Sequence, residues 1–336
     1  ANKWMRANYG EPLRKFLKTQ QLYEIIDFGD LPVFESATTY PCILIIGKPG
    51  KENNNIKLTI PETLKFSSLA AYVQQNHTLL NKGSLSDEGW ILAGEDTQVL
   101  LSKIHDAGIP LKVYVKGKIL YGIKTGLNEA FVINRETRDS LIAEDPGSKE
   151  IIKPFLAGRD IKRYQEPHSE KFLIFAKRGI DIKNYPAILK HLENYKAQLT
   201  PKPKGWIGIE WKGRKPGSYK WYEIQDAVDY AEEFEKPKII IPAIANVASY
   251  TLDEASHLSN DKTTIIPVND LYLLGLLNSK LLDYYIKSIA STKQGGYYEY
   301  KPMYLSKIPI KMINESDKAE KRSEERRVGK ECRSRW

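Results

Sequence analysis

Cysteine is nearly missing from this chain. Two occur in 336 residues, Cys42 and Cys332, and they lie far apart in sequence. That number excludes a disulfide framework and a cysteine-based zinc site. Cys42 sits in the apolar run CILII and is expected to be a buried, reduced thiol of a cytoplasmic protein. Histidine is sparse too. His77, His105, His168, His191 and His257 are scattered without metal-ligand spacing, so no metal is expected. No apolar run approaches the ~20 residues of a membrane span, and no signal peptide is visible. Chemical signatures are lacking as well. There is no Gly-x-Gly-x-x-Gly, no Walker loop, no Gly-x-Ser-x-Gly, no His-Glu-x-x-His and no Pro-Pro pair. Nothing brings together a nucleophile, a base and an orienting group. The chain shows no internal repeat.

What is present is positive charge on an ordinary globular background. Apolar residues make up 41% of the chain, enough for a sizeable core. The length suits two domains of ~150 residues each. The formal net charge is +9. Such a balance favours an acidic partner, nucleic acid first and a membrane surface second. A merely soluble basic protein carries the same charge.

Part of that charge belongs to an odd C-terminus. RSEERRVGKECRSRW, Arg322–Trp336, has no apolar period and no turn chemistry. Read in frame, the sequencing-adapter opening AGATCGGAAGAG translates to Arg-Ser-Glu-Glu, and the whole stretch fits that adapter read onward. Such segments are set aside in fold reasoning. A basic nucleic-acid-binding tail is the other reading. The tail holds six basic and three acidic residues, so +9 becomes +6 without it. The chain begins with Ala1, which fits a truncated start as well as a processed one.

The first segment reads as the end of an α/β domain. NYGE places Asn8 as a helix N-cap with Glu11 three residues on, a capping-box pattern. Tyr9, Leu13, Phe16 and Leu17 then share one helical face. Leu22–Phe28 reads as a strand. PCILIIGK, Pro41–Lys48, is a continuous apolar run that predicts a strand buried on both faces. A helix and two strands do not complete a doubly wound sheet, which needs about five or more strands. A break at Gly108–Pro110 is followed by strand-like LKVYV, KILYGI, AFVI, KFLIFAK and KIIIPAI. Helices are expected at Ala187–Leu199 and after Asn269 or Asp270. In the second, Leu273, Leu274, Leu277, Leu281, Tyr285 and Ile289 form the apolar face. This mixture is α+β.

Four stretches could carry function. GIKTGLNEAFVI sets Lys124, Thr125 and Asn128 among glycines, where backbone can approach a phosphate or base edge. The same spacing suits a plain turn between strands. IIKPFLAGRDIKRY gathers Lys153, Arg159, Lys162 and Arg163 beside Tyr164, a phosphate-contacting pattern or a solvated loop. Asp160 there is expected to cap a turn or pair with an arginine. KPKGWIGIEWKGRKPGSYKWY interleaves basic residues, Lys212 and Arg214 among them, with aromatics that include Trp221, as a nucleic-acid surface would. Its Glu210-Trp211-Lys212 is half of a nuclease motif with no partner and is rejected. STKQGGYYEYKPMYLSKIPI hinges Lys293, Tyr297, Tyr298 and Lys301 on two glycines. That can follow a nucleic-acid backbone or pack a sheet edge.

Together and in this order, these stretches, with KWMRANYGEPLRKFL, EIIDFGDLPVFESATTYPCILII and DLYLLGLLNSKLLDYYIKSIA, resemble one family. It is the adenine-specific DNA methyltransferases of type IIG restriction-modification systems with a TaqI-like C-terminal specificity domain. The resemblance runs from Lys3 to about Ile310. It implies the C-terminal part of a Rossmann-like S-adenosylmethionine methyltransferase sheet over residues 1–108. A mixed α+β target recognition domain would follow over 109–312, then a disordered tail over 313–336. It implies double-stranded DNA as partner and S-adenosylmethionine as cofactor of the parent. It also implies an upstream methyltransferase region, with or without a nuclease, on the same chain. The glycine-rich cofactor loop and the Asn-Pro-Pro-Tyr motif are absent, so this fragment is expected to bind no cofactor and to be inactive alone. DNA-binding residues would be Lys124, Thr125, Asn128, Lys153, Arg159, Lys162, Arg163, Lys212, Arg214, Trp221, Lys293, Tyr297, Tyr298 and Lys301. A stand-alone specificity subunit and an RNA-binding protein are the alternatives. The strands of EIIDFGDLPVFESATTYPCILII favour the fused enzyme.

A chain ending at Lys321 should keep its melting temperature, because the tail offers no apolar face to dock. A thermal melt of the truncated chain checks this, and a loss of several degrees would show that the tail belongs to the fold.

Overall fold

The computed structural model describes residues 1–37, 39–50 and 54–313. The tail beyond 313 therefore lies outside the described residues. Contacts divide the chain into two compact units. Among the described residues, one holds 1–117, 244–248 and 276–313; the other holds Lys118–Ala243 and Ser249–Gly275. The division is not contiguous in sequence. Residues 276–313 group with the first unit.

The first unit opens with helix α1, Glu11–Thr19. It starts later than expected, because Asn8–Gly10 forms a 3-10 turn and Gly10 is the N-cap, with no side-chain cap bond. A Cβ at Gly10 would lie 1.9 Å from the Trp4 carbonyl oxygen, so only glycine fits. The expected apolar face is mostly outside. Tyr9, Leu13 and Phe16 are exposed, while Leu17 and Arg14 are buried. Arg14 spends its guanidinium on three carbonyls, those of Trp4, Ala7 and Asp87. A buried cation so satisfied replaces the apolar stripe.

Four strands follow: β1 Gln21–Asp27, β2 Cys42–Gly47, β3 Asn55–Thr59 and β4 Thr78–Asn81. Their order is β2-β1-β3-β4. β1 is antiparallel to β2 and parallel to β3, and β3 is antiparallel to β4. Leu22, Ile25, Ile56, Leu58 and Leu80 build the core with Met5, Leu17 and Trp90. The expectation for PCILIIGK needs correction. β2 is an edge strand, and Ile43, Ile45 and Ile46 are 40%, 46% and 46% exposed. An apolar run marks burial only where neighbours exist on both sides. Cys42 is accordingly free but half-buried, and burial raises its thiol pKa.

In the second unit, strands Thr251–Asp253, Lys238–Pro242, Thr263–Ile266 and Leu120–Tyr121 form one sheet, in that order. Leu258–Ser259, Ile152–Leu156, Lys171–Ile174 and Val132–Ile133 form another. KIIIP is an inner strand with every residue buried, as its composition predicts. LKVYV is not a strand. Leu111–Tyr114 is a helical turn in the first unit. AFVI is half helical turn, half strand. Both expected long helices break. Pro186–Glu193 stops before Lys196–Leu199. Leu271–Leu277 stops before Lys280–Ile289, where the Ser279 hydroxyl caps the new N-terminus by accepting from Leu282 N–H at 3.2 Å. The break shifts the phase, so Leu281 is exposed and Leu282 buried. Asp270 does cap the first of the pair, accepting from Leu273 N–H at 2.9 Å.

The inner strand carries a buried ion pair. Lys238 Nζ donates to Asp253 Oδ2 at 2.5 Å and to the Phe234 carbonyl at 2.6 Å. His257 Nδ1 lies 2.8 Å from the other carboxylate oxygen. Burial works to raise the Asp253 carboxyl, but the His257 hydrogen bond and the Lys238 ammonium outweigh it and hold it below the usual range. Lys238→Met should destabilise the chain by about 3–5 kcal/mol, because buried Asp253 loses its ammonium and must either keep an unpaired charge or take up a proton. Urea unfolding of the variant measures it, and a loss under about 1 kcal/mol would mean the pair behaves as a surface pair.

Candidate nucleic-acid interface

Three segments of the second unit converge by backbone pairing. Ile123 N–H donates to Ser259 O at 2.7 Å and Asp261 N–H to Ile123 O at 3.0 Å. Asn260 N–H donates to Leu156 O at 3.1 Å. The approach is too close for side chains. A Cβ at Gly122 would lie 1.9 Å from Asn260 O, and one at Gly158 would lie 2.7 Å from Lys262 O. Lys124 and Arg159, both exposed, are thereby carried on neighbouring turns, with Lys262 between them in the pairing. Arg159 lies 3.9 Å from the carboxylate of its neighbour Asp160. Asp160 caps its own turn, accepting from Ala157 N–H at 2.7 Å. Lys162 is exposed and Lys153 half-buried. Arg163 is half-buried with its guanidinium 5.0 Å from the Tyr164 ring centroid.

Thr125 and Asn128 do not play equal parts. Thr125 is 2% exposed, and its hydroxyl donates to Asn128 Oδ1 at 2.7 Å. It positions Asn128, which is exposed; a direct base contact by Thr125 is corrected to that supporting role. The backbone of this turn is held by Gln225 N–H on Thr125 O at 3.0 Å and by Asp226, whose carboxylate accepts from Lys124 N–H at 2.8 Å.

Arg214 needs the larger correction. It is 5% exposed and cannot face a phosphate. Nε donates to Leu199 O at 2.7 Å. Nη1 donates to Thr125 O at 3.1 Å and Glu223 O at 2.7 Å. Nη2 donates to Lys220 O at 3.1 Å and Trp221 O at 2.9 Å. All five guanidinium N–H groups are thus used on carbonyls. The Tyr219 ring lies under it, 4.4 Å away. Burial pushes the group down to about 10, so it stays charged at neutral pH. Gly126, at φ +87°, completes the packing, since a Cβ there would lie 2.7 Å from Arg214 Cδ.

Around this clamp the basic loop turns its other cations outward. Lys212, Lys215 and Lys220 are exposed. Trp221 is half-buried, with Lys196 Nζ 5.1 Å from its ring. Arg178 joins them, donating to Gln225 O at 2.8 Å and to Ser218 Oγ at 3.1 Å. Arg178 and Lys262 were not singled out from sequence; each lies in an unremarkable loop, and only pairing across distant segments places it here.

Lys293, Tyr297, Tyr298 and Lys301 belong to the first unit. Lys293 and Lys301 both reach Glu299 Oε1, each at 2.8 Å. Burial opposes ionisation of Glu299, but the two lysines hold its carboxyl below the usual range. Two cations therefore share one buried anion, which halves their net charge. Tyr297 is exposed and Tyr298 half-buried. The glycine hinge is real, with φ of +81° and +76° at Gly295 and Gly296. It is tied down by Gly296 N–H on Asp30 Oδ2 at 3.1 Å and Gln294 N–H on Tyr40 Oη at 3.0 Å.

With this geometry in place, the likenesses to known proteins are informative. Residues 153–310 match the TaqI-like C-terminal specificity domain. The chain is 24% identical to the type II methyltransferase M.PaeR7I of Pseudomonas aeruginosa, over 92% of its own length and 54% of that protein. It is 21% identical to the type II restriction enzyme and methyltransferase RM.Eco57I of Escherichia coli, over 95% and 35% respectively. In fold it resembles the type IIL restriction-modification enzyme MmeI, solved in complex with DNA. There the TM-score is 0.52 at 15% identity, covering 91% of this chain and 37% of that one. The chain thus spans about half or less of the length of these relatives.

Arg214→Met should cost about 3–5 kcal/mol of stability, by stranding carbonyls around an apolar side chain. Denaturant unfolding tests this. A fully stable variant would return Arg214 to the surface.

Proposed function

Starting from a TaqI-like specificity domain at residues 153–310, we propose that this chain is the DNA-reading part of a site-specific N6-adenine methyltransferase from a restriction-modification system. The observation that carries the reading is the coincidence of two independent facts. The specificity-domain match covers the segments carrying Arg159, Lys262 and the basic aromatic loop, and their backbone pairing brings these beside the Gly122–Asn128 turn, which lies just outside it. Exposed cations on neighbouring turns neutralise phosphates and fix register, and side chains set between them read base edges.

The four-stranded sheet is proposed as the C-terminal part of a Rossmann-like methyltransferase sheet. Its support is the apolar edge at β2, where Ile43, Ile45 and Ile46 are exposed. An apolar edge strand invites another strand, which the longer relatives have length to supply. The parent would flip the target adenine out of the duplex for methylation, with S-adenosylmethionine supplying the methyl group. The described residues do not fit that cofactor. The crossover from β3 into helix Leu69–Asn76 is IPETLKFSS, without a glycine to let backbone approach a ligand. No methyl-transfer step is assigned to this chain, which we propose is inactive alone and acts in the cytoplasm.

In a full-length parent enzyme, Arg159→Ala should weaken binding to all DNA sequences alike and lower the salt slope by about one unit. Asn128→Ala should instead narrow the gap between target and non-target DNA by roughly 1–3 kcal/mol, if it makes a bidentate base contact. Binding to both DNAs across a salt series separates them. Identical behaviour of the two variants would refute this division of labour, and no effect of either would refute the surface.

A further inference from the structure

The tip of the basic aromatic loop has no explanation in phosphate contact. Ile207 and Ile209 are 98% and 108% exposed. Single exposed aliphatics are common, but two at full exposure, one residue apart, form an apolar point that water solvates poorly. The point stands on a built base. Trp211 Nε1 donates to Thr200 O at 3.2 Å. The Trp206 ring packs edge-on against Trp211, with centroids 5.0 Å apart. Gly208 lies against the Trp206 ring, where a Cβ would come within 2.4 Å. Gly205, at φ +80°, makes the preceding turn. The two isoleucines on either side of Gly208 are thus held outward by an anchored tryptophan pair.

We propose that Ile207-Gly208-Ile209 is an apolar wedge that enters a DNA duplex between stacked base pairs. The proposal rests on the DNA-binding reading above and adds a mode of contact to it. Charge chooses the occupant. Exposed Lys204, Lys212 and Lys215 flank the tip against the single Glu210, so the partner is a polyanion. Double-stranded DNA is the polyanion with an apolar interior within reach, the stacked faces of its bases. Aliphatic side chains inserted at a step partly unstack it and kink the duplex, and flexible pyrimidine–purine steps yield most readily. The lysines hold the backbones on either side while the isoleucines part the step.

The test uses the whole chain and the double variant I207S/I209S, whose changes lie at exposed positions. The probe is a mixed-sequence duplex with 2-aminopurine at pyrimidine–purine steps. Binding of the unaltered chain should raise 2-aminopurine fluorescence as the base unstacks. The variant should bind about tenfold more weakly, with the salt slope unchanged and the fluorescence rise lost. Binding by the variant with the same fluorescence rise overturns the wedge but leaves the DNA-binding reading intact. Self-association of the unaltered chain in sedimentation, abolished in the variant, also overturns it, by assigning the tip to a second copy. Failure of the unaltered chain to bind duplex at any salt overturns both readings.

Discussion

The second unit is organised by one guanidinium. Arg214 donates to five carbonyls contributed by Thr125, Leu199, Lys220, Trp221 and Glu223. These sit in a glycine turn, a helix end and an aromatic loop, none of which has enough regular backbone pairing to hold itself. Removing those carbonyls from water without donors would cost more than the loops could recover by packing. The buried cation therefore lets irregular backbone exist inside the unit. Of the loop's other cations, Lys220 lies over the Tyr222 ring, while Lys212 and Lys215 face solvent.

The same economy recurs elsewhere. Arg14 satisfies three carbonyls where 3-10 turns meet α1, and Lys238 neutralises Asp253 on the inner strand. Each is a basic residue that charge counting alone assigns to a partner. Burial decides otherwise. A cation surrounded by carbonyls or a carboxylate is spent on the fold, while Lys124, Arg159 and Lys212 keep their charge for something outside.

Legibility in the sequence followed the same line. Runs such as KIIIP and LYEIID declare themselves as strands, because composition and a central place agree. PCILIIGK reads the same way but lies at an edge, since composition cannot say whether a neighbour exists. The long helices read as continuous because apolar spacing passes through Asn278–Ser279 and Asn194–Tyr195, where capping and turn chemistry interrupt it. The specificity-domain resemblance was legible from the order of several modest stretches. Which cations are exposed was not, because exposure depends on contacts between residues about 90 positions apart, such as Arg214 with Thr125.

The triplet Lys212, Arg214 and Lys215 shows why residue type still carries information there. Only arginine has five donors in a rigid planar fork, and the buried position needs five. A lysine there would bring three donors and a more strongly hydrated charge, leaving at least two carbonyls unpaired. The exposed positions make no such demand. A compact ammonium on a flexible stem suits an anionic partner whose exact place varies. Arginine at the buried position is thus what the geometry requires, and on the proposed reading a loss of DNA binding on changing Arg214 would report on the loops it holds and not on a phosphate it touches.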